Sequence, residues 1–522
     1  MTELSEATSA VQREYESRLG IRKRAAERWH AHDRRFSNAR LAVFVAGIVQ
    51  GFLTFGTHYL TAPWLIPTVV VFVSLLVLHD RVIQARGRAE RSVAFYERGL
   101  ARLGDRWAGT GSQRQRDDTI THPYADDLDL FGEGSLFELL CTARTPAGEE
   151  KLAGWLLAPA DAEEIRQRQT AVAELRERLD LREDLCQLGD DVRSQLDPAA
   201  LIRWGTTTGG PVSTAPRIAA LGATALSGAA AAAAIFTGAG PIPLLFTLAL
   251  QVVLAFALRS RVRVGIQSAS GATRDLSLLA GLLARLEVEP VRCPRLAALR
   301  EKLQSEGHPP SHRIAQLRRL VDLLEARQNQ FFAPIGALLM WGTHFGLAVE
   351  NWRAHHGPNL IRWVDAAAEM EALGSLASYA YEHPDDPFPE IVEDAALFDG
   401  RALGHPLLPA ARCVRNSVSL SSQPGARQAL MVSGSNMSGK STLLRTVGVS
   451  AVMALAGAPV RAESLRLSPL AIGASIHVID SLREGTSHFY AEIKRIRQVM
   501  DLTDGPRPVL FLLDEVLHGT NS

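Results

Sequence analysis

The chain has 522 residues, with 56 basic and 56 acidic side chains and a formal net charge of zero. A hydrophobic fraction of 47% against 21% charged excludes a largely disordered chain, and the neutral balance excludes a global polycation built for nucleic acid. The four cysteines, Cys141, Cys186, Cys293 and Cys413, are far apart with no CxxC, which argues against a disulfide framework or a zinc site and for a reducing compartment.

Residues 1–40 are polar and rich in arginine (Arg22, Arg24, Arg34, Arg35, Arg40) and read as a soluble helix rather than a cleavable signal peptide. Two uncharged runs follow: 41–60, LAVFVAGIVQGFLTFGTHYL, and 61–78, TAPWLIPTVVVFVSLLVL. Each is about the 20 residues that cross roughly 30 Å of hydrocarbon. The short link at Thr61-Ala62-Pro63 makes 41–78 a transmembrane hairpin. Arg34, Arg35 and Arg40 before it, and Arg81 and Arg86 after it, place both ends in the cytoplasm.

Residues 79–124 read as a juxtamembrane helix and linker, and 125–216 as the first part of a helical core. The apolar pattern then repeats over 217–258. Ile218–Gly238 is uncharged and rich in Ala and Gly, Pro241 and Pro243 break the chain, and Leu244–Leu258 is uncharged up to Arg259, Arg261 and Arg263. Four transmembrane helices in two hairpins are therefore expected, in contact with membrane lipid, with the C-terminal region cytoplasmic. The rival reading for each hairpin is an apolar core element of a large soluble protein.

Residues 259–390 read as a helical lever region. From Arg259 to Arg327 thirteen basic residues face seven acidic ones, a balance that suits either a phosphate backbone or membrane-flanking solvated helices. A fifth uncharged run, Phe331–Val349, contains Pro334 and His344; it is read as a buried core helix, because a span there would move the C-terminal region across the membrane.

The sharpest signal lies in residues 391–522. Gly434-Ser435-Asn436-Met437-Ser438-Gly439-Lys440-Ser441 matches GxxxxGK[ST], between an expected strand at Ala429–Val432 and an expected helix over Ser441–Leu455. Glycines let backbone N–H groups converge on phosphate oxygens, and the helix dipole adds to them. Lys440, one of only five lysines, would pair with the β- and γ-phosphates, and the Ser441 hydroxyl would ligate Mg²⁺. Downstream, Val509–Leu513 reads as a buried strand ending in Asp514-Glu515: Asp514 would hold the metal and Glu515 would polarise the attacking water. Between them, Ser487 is either the N-cap of a helix starting near His488 or a contact to a γ-phosphate of another subunit.

These motifs together resemble the MutS mismatch-repair ATPases. SGSNMSGKST resembles their phosphate loop, with Asn436-Met437 as the discriminating pair. GTSHFYAEI resembles a second MutS segment through Gly485, Ser487, Phe489 and Glu492, and LLDEVLHGTNS a third through Leu512 to Glu515, Gly519 and Thr520. GHPLL at Gly404–Leu408 resembles the segment preceding the ATPase. SLFELLCTARTPAGEEKLAGWLLAP, EEIRQRQTAVAEL and the Trp363–Ala380 run look like MutS core helices.

The resemblance implies an ABC-like α/β P-loop ATPase domain after a mainly α-helical MutS-like core. It implies ATP and Mg²⁺, with Lys440 and Glu515 catalytic, Gly434 to Thr442 and Ser487 on the nucleotide, and Ser441 and Asp514 on the metal. It also implies a homodimer through the ATPase domain.

The pattern departs from the family in two ways. No mismatch-reading domain is apparent, and Phe95-Tyr96-Glu97, which copies the family's intercalating wedge by letters, is read as chance. The family also continues beyond the Asp-Glu strand, so the ATPase domain ending at Ser522 is expected to be C-terminally incomplete, and His518 is not assumed to be the family's switch histidine. The expected function is a membrane-anchored MutS-like ATPase with ATP-dependent binding of mismatched or branched DNA. The alternative is an ATPase that moves its membrane helices or a membrane partner without DNA. A transporter is disfavoured, since the spans hold no charged residues to line a path.

Overall fold

A computed structural model describes residues 6–57, 59–114, 122–188, 198–206, 214–238, 240–267, 273–303, 308–326, 332–435, 438–476 and 488–515. In chain order the helices are α1 (Glu6–Phe55), α2 (Leu65–Leu103), α3 (Leu136–Leu140), α4 (Pro146–Leu157), α5 (Ala162–Arg176), α6 (Leu179–Gln187), α7 (Pro198–Thr206), α8 (Ala215–Phe236), α9 (Ile242–Gln267), α10 (Thr273–Val288), α11 (Pro294–Lys302), α12 (Pro310–Glu325), α13 (Ala333–Leu338), α14 (Trp341–His356) and α15 (Leu360–Glu382). Strands β1 (Glu390–Ile391), β2 (Leu397–Leu403) and β3 (Asn416–Ser421) then precede α16 (Lys440–Ala456). β4 (Ser464–Leu467), β5 (Ala471–Ser475), α17 (His488–Asp501) and β6 (Val509–Leu513) complete the described elements. The chain divides into two compact units: residues 1–142, 153–191 and 373–522 form the first, and residues 143–152 and 192–372 the second.

In the first unit, α1 and α2 pack along each other. The polar helix and the apolar run expected as separate pieces at 1–40 and 41–60 are one continuous 50-residue helix, and the second run continues through α2 to Leu103. Nothing between residues 30 and 50 stops a helix, because no proline or capping motif interrupts the pattern. The turn is tightened by Pro63, with the Trp64 N–H donating to the Thr61 carbonyl at 3.1 Å.

The apolar halves of α1 and α2 are long and apolar enough to cross a membrane, and only 6% of the most apolar 18-residue window of either is buried. Phe44, Ile48, Phe52, Val70, Val73 and Val77 are all exposed there. The polar atoms within these halves are paired locally: Gln50 donates to the Trp64 carbonyl at 2.7 Å and accepts from Thr68 at 2.5 Å.

The other ends of α1 and α2 close over a core of Tyr15, Phe95, Tyr96, Leu179 and Cys186. A Cβ on Gly99 would lie 2.4 Å from the Tyr15 ring, so the close approach of α1 and α2 requires glycine there. Phe95 and Tyr96, the letters that copy a mismatch wedge, are buried in this core, and the Tyr96 hydroxyl donates to Glu183 at 2.6 Å.

The C-terminal α/β region also lies in the first unit. β1-β4-β2-β3 is a four-stranded sheet in which β1 and β4 are parallel and the other pairs antiparallel. β5 and β6 form a separate parallel pair. The strand expected at 429–432 does not form: these residues join no ladder among the described residues, and Met431 is 96% exposed. A strand is stable only when its N–H and C=O groups have partners, and here a cavity of about 260 Å³ lies between the segment and β6, lined by Ala429, Leu430, Val432, Val447, Leu510 and Leu512.

In the second unit α8 and α9 pair as the second hairpin, again long and apolar enough to cross a membrane. Gln251 on α9 donates to the Ala223 carbonyl on α8 at 3.2 Å. α14 packs on α8, α9 and α12, and α10 on α12. The single buried helix expected at 331–349 is instead two helices, α13 and α14. Met340, with φ 48°, breaks the run, and Ile335, Leu338 and Leu339 are exposed.

Candidate nucleotide site

The phosphate-loop residues lead into α16 at Gly439, whose φ of 92° is a left-handed conformation that favours glycine. The Leu443 N–H donates to the Gly439 carbonyl at 2.9 Å and starts the helix. At the loop's other end a Cβ on Gly434 would approach Ser438 Oγ to 2.8 Å. Lys440 Nζ donates to the Gly434 carbonyl at 2.6 Å, which holds the ammonium across the mouth of the loop. Ser435, Ser438 and Thr442 are exposed around it. Asn436, Met437 and Ser487 lie outside the described residues.

The expected metal ligands meet. Ser441 Oγ donates to Asp514 Oδ2 although the two residues are 73 positions apart. Asp514 is fixed by its own N–H, which donates to the Ser475 carbonyl at 2.9 Å and extends the β5–β6 pairing past Leu513. Glu515 follows with φ 45° and is exposed. A left-handed conformation costs a non-glycine residue about 1–2 kcal/mol, and strain of this kind concentrates at functional positions. The helix N-terminus, one ammonium, and a hydroxyl–carboxylate pair of hard oxygen ligands suit a polyphosphate carrying a divalent cation.

A clamp that sequence reasoning missed supports the site from behind. Residues 122–130 run against α16, β5 and α17. Asp129 pairs with Arg445 at 2.8 Å. Asp127 accepts from the Ile476 N–H at 2.8 Å and pairs with Arg495 at 3.1 Å. The Pro123 carbonyl accepts from Ala474 N–H at 2.8 Å. Leu128 is fully buried, and a Cβ on Gly448 would lie 2.6 Å from it and 2.7 Å from Leu512, so α16 is wedged between the clamp and β6. The signal was present in the alternation Asp127, Leu128, Asp129, Leu130, with the two leucines buried and the two aspartates bonded.

The Gly-His-Pro segment lies close by. The Gly404 N–H donates to the Arg461 carbonyl at 2.7 Å, and Arg461 donates back to the carbonyls of His405 and Leu408 at 3.1 and 2.6 Å. Burial pushes the His405 imidazole down to about 4, and Arg445 and Arg461 add to the shift, so this ring is neutral at physiological pH.

Comparison with known proteins agrees with this layout. The model of MutS domain III matches residues 119–377, and that of MutS domain V matches residues 430–522. The chain is similar to the DNA mismatch repair protein MutS of Desulfatibacillum aliphaticivorans, 31% identical over 179 residues that make up 33% of this chain and 19% of that protein. It is similar to the probable DNA mismatch repair protein Msh6 of Drosophila melanogaster, 35% identical over 228 residues, 42% of this chain and 18% of the relative. Endonuclease MutS2 of Maridesulfovibrio salexigens is 37% identical over 132 residues, 25% of this chain and 17% of that protein. The chain thus spans less than a fifth of the length of each of these relatives.

Proposed function

Because the chain belongs to the MutS family, we propose that it is a membrane-anchored ATPase that binds DNA in a nucleotide-dependent way. The observation that carries the ATPase part is the contact of Ser441 with Asp514, which joins the phosphate loop to the end of β6. Mg²⁺ held by this pair would offset the charge of the β- and γ-phosphates. The loop N–H groups and Lys440 bind and orient the triphosphate, and Glu515, exposed at the strand end, orients the attacking water and takes its proton. Dimerisation through the α/β region would bring Ser487 of one subunit to the nucleotide of the other. The relatives' mismatch-repair names support DNA as the load. The four long apolar helices support a multi-pass anchor with the ATPase region on the cytoplasmic side.

A second reading, motion passed to the membrane helices without DNA, is favoured by one observation. Glu382, the last residue of α15, is fully buried and held by Arg102 of α2 at 2.6 and 2.7 Å and by the Tyr15 hydroxyl of α1 at 3.3 Å. This puts the helix that leads into β1 in direct contact with the polar ends of α1 and α2, the helices that run on into the first hairpin.

The deciding experiment is ATP turnover by the whole chain in lipid nanodiscs. Turnover that Lys440→Ala and Asp514→Asn abolish and that duplex or four-way DNA stimulates supports the first reading. Turnover indifferent to DNA but dependent on lipid supports the second. Neither nucleotide binding nor turnover would sink both.

A further inference from the structure

The fifth apolar run neither completes a span nor disappears into a core. We infer that residues 332–341 are a third lipid-contacting element, a foot lying in the boundary between headgroups and acyl chains of the cytoplasmic leaflet, beside α8 and α9. This rests on the membrane reading above and goes beyond it by assigning the occupant of a surface that the two hairpins do not explain.

Three observations carry it. The first is exposure. α13 has only six residues, yet Ile335, Leu338 and Leu339 on and just after it are 54%, 44% and 39% exposed. Three large apolar side chains on so short an element are a strong apolar patch.

The second is depth. Met340, next in sequence, is buried against Ala220 and Ala223 of α8, with Leu254 and Ala255 of α9 packed on the same cluster. Ala220 lies one helical turn after Arg217, and Ala255 one turn before Arg259, so at 1.5 Å per residue Met340 sits about 5 Å inside the charged ends of the hairpin. That is the depth at which an apolar face lies in a membrane interface, about 5–10 Å. Arg259 folds back with its guanidinium 3.6 Å from the Phe256 ring centroid, the posture of a cation that covers apolar surface while its head stays in water.

The third is the character of the rim. Phe332, Trp341 and Phe345 form an aromatic chain with centroids 5.0 and 4.6 Å apart, and Trp341 donates its indole N–H to the Leu323 carbonyl at 2.5 Å. Trp341, with its one polar edge satisfied, is the type of residue that marks the interface belt, and the two Phe rings extend its apolar surface.

The backbone permits the placement. Around the break, the Met340 N–H donates to the Ala337 carbonyl, and the Thr343 and His344 N–H groups donate to the Met340 carbonyl at 2.9 and 3.0 Å. The left-handed residue's own N–H and C=O are therefore both paired, as lipid favours. His344 also contacts Thr224 of α8 at 3.1 Å, which ties the start of α14 to the hairpin. A full span is disfavoured by the break, which leaves only residues 341–349 of α14 uncharged before Glu350 and a buried Arg353 that pairs with it at 2.7 Å, far short of the roughly 20 residues a span needs.

The test is depth-dependent quenching of a fluorophore on single introduced cysteines, in the whole chain in nanodiscs with phosphatidylcholine spin-labelled at a shallow or a deep acyl position. Leu338→Cys and Ile335→Cys report the foot, Leu250→Cys the middle of α9, and exposed Val288→Cys at the end of α10 the aqueous phase. The inference predicts shallow-label quenching at 335 and 338 at least about twofold that at 288, and exceeding their deep-label quenching. Quenching at 250 but none at 335 and 338 overturns the foot and leaves the anchor standing. Deep-label quenching at 338 equal to that at 250 overturns the foot in favour of a fifth span. No quenching at 250 refutes the anchor itself, and the foot with it.

Discussion

Arg102→Met would strip Glu382 of its two charge-assisted bonds, at 2.6 and 2.7 Å. Glu382 is fully buried, and the side chain of Arg102 is 12% exposed. What remains for the carboxylate is the Tyr15 hydroxyl at 3.3 Å. The nearby Arg182 donates through Nη1 to the Leu175 and Arg176 carbonyls at 2.6 and 2.8 Å, but its Nε and Nη2 are buried without a hydrogen-bond partner among the described residues. Its charge acts on Glu382, so it offsets part of the loss and sets the cost at the lower end of the range that follows. Removing one partner of a buried ion pair costs about 3–5 kcal/mol, since an uncompensated charge is left inside. Arg102→Met with Glu382→Gln, which leaves no charge behind, should recover about half of that, about 2 kcal/mol. Hydrogen exchange reads this locally. Amides in the polar halves of α1 and α2 should exchange about a hundredfold faster in the single variant, while the apolar halves change little. A single-variant cost below about 1 kcal/mol, or a double variant no better than the single, would refute the claim that this pair holds the polar ends of α1 and α2 to α15.

Four other outcomes follow from the structure. Gly448→Ala drives a methyl to 2.6 and 2.7 Å from Leu128 and Leu512 and should cost about 1–3 kcal/mol in thermal unfolding; an unchanged melting temperature would contradict the wedge between clamp and β6. Asp127→Ala removes the acceptor of Ile476 N–H and the partner of Arg495, and should weaken nucleotide affinity measured by titration without touching the loop; unaltered affinity would make the clamp structural only. In the second unit, burial raises Glu371 from 4.5 to about 7 despite the hydrogen bonds it accepts from Thr145 and the Arg144 N–H. The folded chain therefore holds a proton that the unfolded chain has released, so stability is lost as pH rises from 4.5 to 7, by about 3 kcal/mol, and Glu371→Gln should flatten a pH series of melting curves. His405 has the opposite sign: lowered from 6.5 to about 4, it costs the first unit stability as pH falls through that window, which His405→Gln should remove.

The local geometry of the candidate nucleotide site was more legible than the architecture around it. GxxxxGK[ST] and the Asp-Glu strand end place Lys440, Ser441 and Asp514 because backbone geometry at a phosphate loop admits few residue types, and α16 and β6 appear within a residue or two of their expected bounds. The apolar runs were legible for the same reason: uncharged stretches of that length have few fates. What stayed hidden depends on partners distant in sequence. The 429–432 segment has a strand's composition but no ladder. The 331–349 run has a core helix's composition, but Met340 turns inward to Ala220 and Ala223 and breaks it. The clamp at 122–130 is visible only once Asp127 and Asp129 meet Arg495 and Arg445, more than 300 residues away.

The most direct test of the central claim is DNA affinity of the whole chain in nanodiscs, with and without ATP and Mg²⁺, over a salt series and with homoduplex, mismatched and four-way DNA. The account predicts salt-sensitive binding whose strength changes with ATP, and loss of that change in Lys440→Ala. Absence of binding to every DNA at low salt, in a chain that still hydrolyses ATP, would contradict it and leave an engine whose load is the membrane.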